Sequence, residues 1–142
     1  MWGLQGLQEI TLDHGYIFHG EETTPGSVQV VGKISGENHP FVEHFKFVKK
    51  FEDDNTVARQ TIPAPAQLYA ELFREETGKA TRAVYPDDDA LLSENAAAYR
   101  QVIADLYAAG CRNVQLDDCT WGMCCDAGYQ QFLASTGAKL VD

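Results

Sequence analysis

Basic residues are scarce in this chain of 142 residues: eleven lysines and arginines stand against twenty-one aspartates and glutamates, a formal net charge of -10. The summed field repels polyanions, so nucleic acid is not expected as a partner. Long apolar runs are also missing. No stretch approaches the roughly 20 apolar residues of a membrane span, and the opening MetTrpGlyLeuGlnGlyLeuGln has no basic region followed by an apolar run. A cytoplasmic protein with no membrane partner is expected. Cysteine is confined to Cys111, Cys119, Cys124 and Cys125, a cluster unlike the spread framework of a small secreted disulfide domain, so the thiols are expected to be reduced. Neither G-x-G-x-x-G nor a P-loop occurs, which removes the usual glycine-rich signatures of a nucleotide site. No histidine follows His44.

What is present is ordinary globular composition, 44% hydrophobic and 23% charged, enough for one domain with a core. Residues 28–34, ValGlnValValGlyLysIle, form a short β-branched run entered from ThrThrProGlySer and predict a strand. Residues 39–51 place Phe41, Val42, Phe45 and Val48 at helical spacing, with Pro40 suited to a first turn. Residues 57–62 predict a second strand that stops at ProAlaPro. The pattern weakens over 66–85, with one helical turn suggested around Leu68 to Phe73 before the polar stretch ArgGluGluThrGlyLysAlaThrArg, and the whole is expected to be a long loop. Asp87, Asp88 and Asp89 then favour a helix N-terminus, and Leu91, Val102, Ile103 and Leu106 hold helical period until Gly110 ends the run. Those four side chains are expected to pack against the sheet. Residues 114–116 predict a strand running into Asp117 and Asp118, and 126–134 a last helix.

Strands alternating with helices favour a parallel sheet built of βα units. The expected fold class is α/β, a partial (β/α)8 TIM-type barrel. Complete barrels need about 250 residues, so residues 1–142 are expected to be a single partial domain, an internal stretch of a barrel. The ending LysLeuValAsp agrees with that expectation.

Chemistry is sought first at ValGlnLeuAspAspCysThrTrpGly, residues 114–122, because barrels place functional side chains at the carboxyl ends of strands. Asp117 is the first candidate. Asp118 taken alone is read first as a cap of the following helix or a bond to loop amides, and as a site residue only together with Asp117. Trp121 could wall a pocket or simply pack its own loop. ThrIleProAlaProAlaGln, residues 61–67, makes a rigid small-residue turn at the same face; Thr61, Pro63 and Pro65 could let a ligand approach the backbone, or form a stiff connection only. The C-x4-C-C spacing of Cys119, Cys124 and Cys125 matches no usual zinc pattern, and buried spectator thiols are expected. His39 and His44 are expected on an exposed helix face, and no metal ligand is assigned.

ValGlnValValGlyLysIle, AsnHisProPheValGluHisPheLysPheValLys, ArgGlnThrIleProAlaProAlaGlnLeu, AlaTyrArgGlnValIleAlaAspLeuTyrAlaAlaGlyCysArg and ValGlnLeuAspAspCysThrTrpGly resemble, in this order, the cobalamin-independent methionine synthase superfamily, particularly its shorter bacterial branch. The resemblance implies a barrel that moves a methyl group from a methylated folate, or another methyl donor, to a thiol such as homocysteine, with Zn²⁺ holding the thiol as thiolate. It implies that Asp117 faces the ammonium of the thiol substrate, with Asp118 and Trp121 nearby, and that Thr61, Pro63 and Pro65 lie toward the methyl-donor side. The family's zinc ligands are a His-x-Cys pair, a Glu and a Cys downstream of the Asp117 strand. This chain has no such histidine, so no zinc and no activity are expected of it alone. Where the longer methionine synthases read AspGluPro, this chain reads AspAspCys, which alters the pocket beside Asp117. Two other readings stand: a non-catalytic α/β binding or interaction module, and the same barrel with another methyl donor or a decarboxylase-like reaction.

Overall fold

A computed structural model describes residues 1–74 and 77–136. The elements run β1 (Gln5–Thr11), β2 (Ile17–Phe18), β3 (Glu21–Glu22), β4 (Gly26–Ser35), α1 (Phe41–Lys49), β5 (Gln60–Pro63), α2 (Pro65–Glu71), α3 (Thr77–Val84), α4 (Asp88–Ala108), β6 (Val114–Asp117), α5 (Thr120–Cys125) and α6 (Ala127–Thr136).

The fold is mixed α/β. Its strands form three two-stranded pairs among the described residues: β1 antiparallel to β4, β2 antiparallel to β3, and β5 parallel to β6. These pairs do not close into a barrel, so the expectation of parallel strands alone is corrected. β1 lies outside every expected element because Gln5–Thr11 carries no sustained alternation and stays partly exposed. It pairs in register from Leu7↔Val30 to Thr11↔Gly26, with an irregularity at Gly6. That position requires glycine: φ is +80°, and a Cβ would stand 2.3 Å from the Lys33 carbonyl oxygen. β2 and β3 are joined by His19 and Gly20, both at positive φ, as a tight two-residue hairpin turn demands.

The core lies where β4 and β5 meet the helices. Val28, Val30 and Ile34 of β4, Phe45 of α1, Ile62 of β5, Leu68 and Leu72 at α2, and Leu91, Tyr99, Val102 and Leu106 of α4 are buried together. Burying one such aliphatic side chain contributes about 1.5–3 kcal/mol. The α4 boundaries follow from their chemistry. Asp87 accepts the Ala90 N–H at 2.9 Å. At the far end Gly110, at φ +95°, donates to the Tyr107 carbonyl, while the Cys111 N–H reaches Leu106 O, a Schellman closure. Leu91, Val102 and Leu106 are buried as expected. Ile103 is not: at 36% exposure it sits on the flank of a stripe centred on Asn95, Ala98, Tyr99 and Val102.

Four other expectations change. The loop over 66–85 contains α2 and α3; residues 75–76 lie outside the described residues, as does the LysLeuValAsp end. Pro65 opens α2 at its first turn, where a missing N–H costs nothing, and Thr81 is buried with its hydroxyl on the Leu72 carbonyl. The strand expected over 57–62 begins only at Gln60, and Val57 is exposed. On α1, Phe45 is buried and Phe41 and Val42 pack against the core, but Val48 is 48% exposed. His39 is also reversed. It is buried at 1% exposure, and its Nδ1 accepts the Phe41 N–H at the start of α1; burial depresses its pKa to about 4, leaving a neutral ring. No helix of the described residues is long and apolar enough to cross a membrane.

Candidate functional site

The parallel pair β5–β6 gathers half of the expected site, Thr61, Pro63 and Asp117. Its register sets Thr61 opposite Gln115, Ile62 opposite Leu116 and Pro63 opposite Asp117. Side chains alternate along a strand, so Thr61, Pro63, Gln115 and Asp117 share one face, opposite the face on which Ile62 enters the core. The carboxyl ends are fastened from both sides. The Ala64 N–H donates to the Asp117 carbonyl at 2.7 Å, and the Tyr99 hydroxyl of α4 donates to the Pro63 carbonyl at 2.9 Å.

Asp117 is exposed at the end of β6, and its carboxylate accepts the Gln115 amide at 2.6 Å. A carboxylate held by one neutral donor keeps capacity for a charged one. Asp118 instead organises the chain just after it. Its Oδ1 accepts the Thr120 N–H at 2.9 Å and the Thr120 hydroxyl at 2.5 Å, which opens α5. Trp121 stands 71% exposed on α5. Pro65 belongs to the next turn, at the first residues of α2, and lines a cleft of about 520 Å³ with Tyr69, Leu92, Asn95, Cys124 and Tyr129. Thr61, Pro63 and Asp117 are therefore brought to one face, whereas Asp118, Trp121 and Pro65 leave it.

Residues outside the expected set border the same end. Gln67 and Glu71, one turn apart on α2, line a cavity of about 630 Å³ with Tyr16, Cys119 and Asp126. Glu71 is 8% exposed. It accepts the Tyr16 hydroxyl at 2.6 Å and the Ser27 hydroxyl at 2.5 Å, and Arg74 stands 3.4 Å away. Burial, and then the bond to Glu71, push the Tyr16 hydroxyl up to about 12. The Gln67 amide donates to the Cys119 sulfur. The readable signal was a polar pair four residues apart directly after a strand end; the long-loop reading of 66–85 hid it. The thiols also differ from expectation: Cys111 is buried, but Cys119 and Cys125 are exposed.

Among the described residues no three His, Cys, Asp or Glu side chains converge on a metal position. Among the described residues the donors do not fit a tetrahedral zinc, because His39 commits Nδ1 to the Phe41 N–H and lies in a different element from the Cys119 segment.

Comparisons with known proteins bear on this geometry. No family model matches the chain. It is 33% identical over 121 residues to YxjH of Bacillus subtilis (strain 168), covering 85% of this chain and 30% of that protein. It is 31% identical over 140 residues to YxjG of the same organism, covering 98% of this chain and 33% of that protein; both relatives are themselves uncharacterized. A crystal structure from Listeria monocytogenes, named "Putative Vitamin-B12 Independent Methionine Synthase", is 35% identical with a TM-score of 0.60, over 89% of this chain and 33% of that one. The chain thus spans about a third of the length of the proteins it matches.

Proposed function

We propose that this chain is a segment of a cobalamin-independent methionine-synthase-like methyltransferase, in which it forms part of a barrel wall and supplies Asp117 to the amino-acid end of a thiol substrate such as homocysteine. The observation that carries the reading is the β5–β6 pair: a parallel unit whose two carboxyl ends present Thr61, Pro63 and Asp117 on the face turned away from the core. In a barrel that face is the interior, and strand carboxyl ends are where such enzymes work. The similarity to the Listeria monocytogenes structure supports the same placement for this third of the molecule.

The role of Asp117 is binding and orientation. Its carboxylate pairs with the substrate ammonium through a charge-assisted bond, which fixes the far end of the thiol. Thr61 and Pro63 border the methyl-donor side. Zinc, when bound by the complete protein, keeps the thiol as thiolate; its ligands belong to sequence outside this chain.

The test is Asp117→Asn in the complete protein that contains this segment, assayed for methyl transfer to homocysteine. Loss of one charge-assisted bond of about 1.5–3 kcal/mol raises the thiol KM about ten- to a hundredfold, with zinc content unchanged. A normal thiol KM in the variant refutes the role.

A further inference from the structure

We propose that the cleft bordered by α2, α4, α5 and α6 binds a small neutral aromatic molecule that carries one hydrogen-bond donor, of the indole or phenol type. The observation that carries the inference is Asn95. This residue lines the cleft and is only 2% exposed, and among the described residues its side-chain Oδ1 has no hydrogen-bond partner. Turning the carboxamide over does not satisfy it. The amide nitrogen donates to the Pro65 carbonyl at 3.4 Å, and an oxygen in its place would set two acceptors together. Buried side-chain acceptors are in large majority paired, and one left unpaired costs free energy. A ligand N–H or O–H presented to Asn95 supplies the partner.

The rest of the lining sets the body of the ligand. The cleft, about 520 Å³, has the size of a small-molecule site. No Asp, Glu, Lys or Arg stands among its described lining residues, so a charged ligand would be desolvated there without a counter-charge. The Tyr69 hydroxyl is committed to Asp88 and the Thr120 hydroxyl to Asp118, which leaves Asn95 to read the donor. The rings of Tyr69 and Tyr129 offer aromatic surface, and Ala70 and Ala96 are small enough to admit a flat body between the helices. Leu92, 49% exposed on α4, is an apolar wall that such a ring covers. Asp117 is not in the lining, so this site is separate from the ammonium contact above, and the inference does not need the methyl-transfer reading.

The probe is indole, with benzofuran as the near-isostere in which an oxygen replaces the N–H, titrated into the ¹⁵N-labelled full chain and followed by amide chemical shifts. Saturable shifts are expected at Ala66, Tyr69, Ala96 and the Asn95 side-chain amide, with benzofuran binding about tenfold or more weakly. Asn95→Leu removes the acceptor and keeps a side chain of similar size, so the preference for indole over benzofuran should disappear. Should that variant lose its fold by circular dichroism, Ala96→Leu decides, because it narrows the cleft from a half-buried position and should weaken indole about tenfold. Equal binding of the two probes to the parent chain, shifts confined to other regions, a preference for indole that survives in folded Asn95→Leu, or undiminished affinity in Ala96→Leu would overturn the proposal.

Discussion

The Tyr85 oxygen accepts the backbone N–H of Ile34 at 2.7 Å while the same hydroxyl donates to Glu94, so one buried phenol ties the end of β4 to α4. Lys33 completes the cluster, 4.3 Å above the Tyr85 ring and 3.0 Å from Glu94. Tyr85→Phe keeps the ring and strands the Ile34 N–H in a dry environment. A loss of about 1–3 kcal/mol in urea unfolding is expected.

The same bond sets an acid limb. The Tyr85 hydroxyl, first among the causes, holds the Glu94 carboxyl below its usual range. A carboxyl with a depressed folded-state pKa stabilises above its unfolded value and loses that contribution as pH falls through the folded one. Unfolding midpoints measured downward from pH 5 should therefore drop less steeply in Glu94→Gln than in the parent chain.

His39 acts in a higher window. Its folded pKa of about 4 lies below the ordinary value of about 6.5, so the neutral ring stabilises fully above pH 6.5 and its contribution is lost as pH falls from there toward 4. The expected loss between pH 6.5 and 5 is up to about 2 kcal/mol. Denaturant titrations at both values should show it, and His39→Gln should abolish this pH dependence.

Tyr99 carries the fold's influence to the strand ends. Its hydroxyl holds the Pro63 carbonyl from α4, and the side chain is 3% exposed. Tyr99→Phe should cost about 1 kcal/mol and speed hydrogen exchange at the Ala64 amide, which donates to Asp117 O across the pair. Unchanged exchange at Ala64 would place the anchoring elsewhere.

The chain is expected to take up no stoichiometric zinc, since a four-ligand site needs donors converging from several elements. Metal analysis of tag-free protein checks this; one tightly held zinc would direct attention to Cys119, Cys124 and Cys125.

What could be read from sequence was whatever local chemistry decides. Helix α4 was legible because Asp87 caps it and Gly110 closes it, and β4 because Val28, Val30 and Ile34 point one way. β1 was not, because its pairing with β4 is tertiary and Gly6 breaks its alternation. Ile103 misled because it adjoins Val102 in sequence but turns about 100° from it around the helix. At the site, Asp117 was found from its place after an apolar strand. Glu71 and Tyr16 were not, since 55 residues separate them and only folding joins their side chains. His39 looked like a surface residue until the start of α1 enclosed it.

Among the described residues β6 has a strand on one side only, and its Leu116 is 51% exposed. The consequence is colloidal. An unpaired strand edge with an apolar side chain is a template for the backbone of another molecule, and what holds copies apart at low ionic strength is their shared charge of -10. Salt shortens the reach of that repulsion from about 10 Å at 0.1 M to about 3 Å at 1 M. Concentrated solutions of this chain should therefore turn cloudy sooner as salt is raised, with light scattering after a lag that seeding removes.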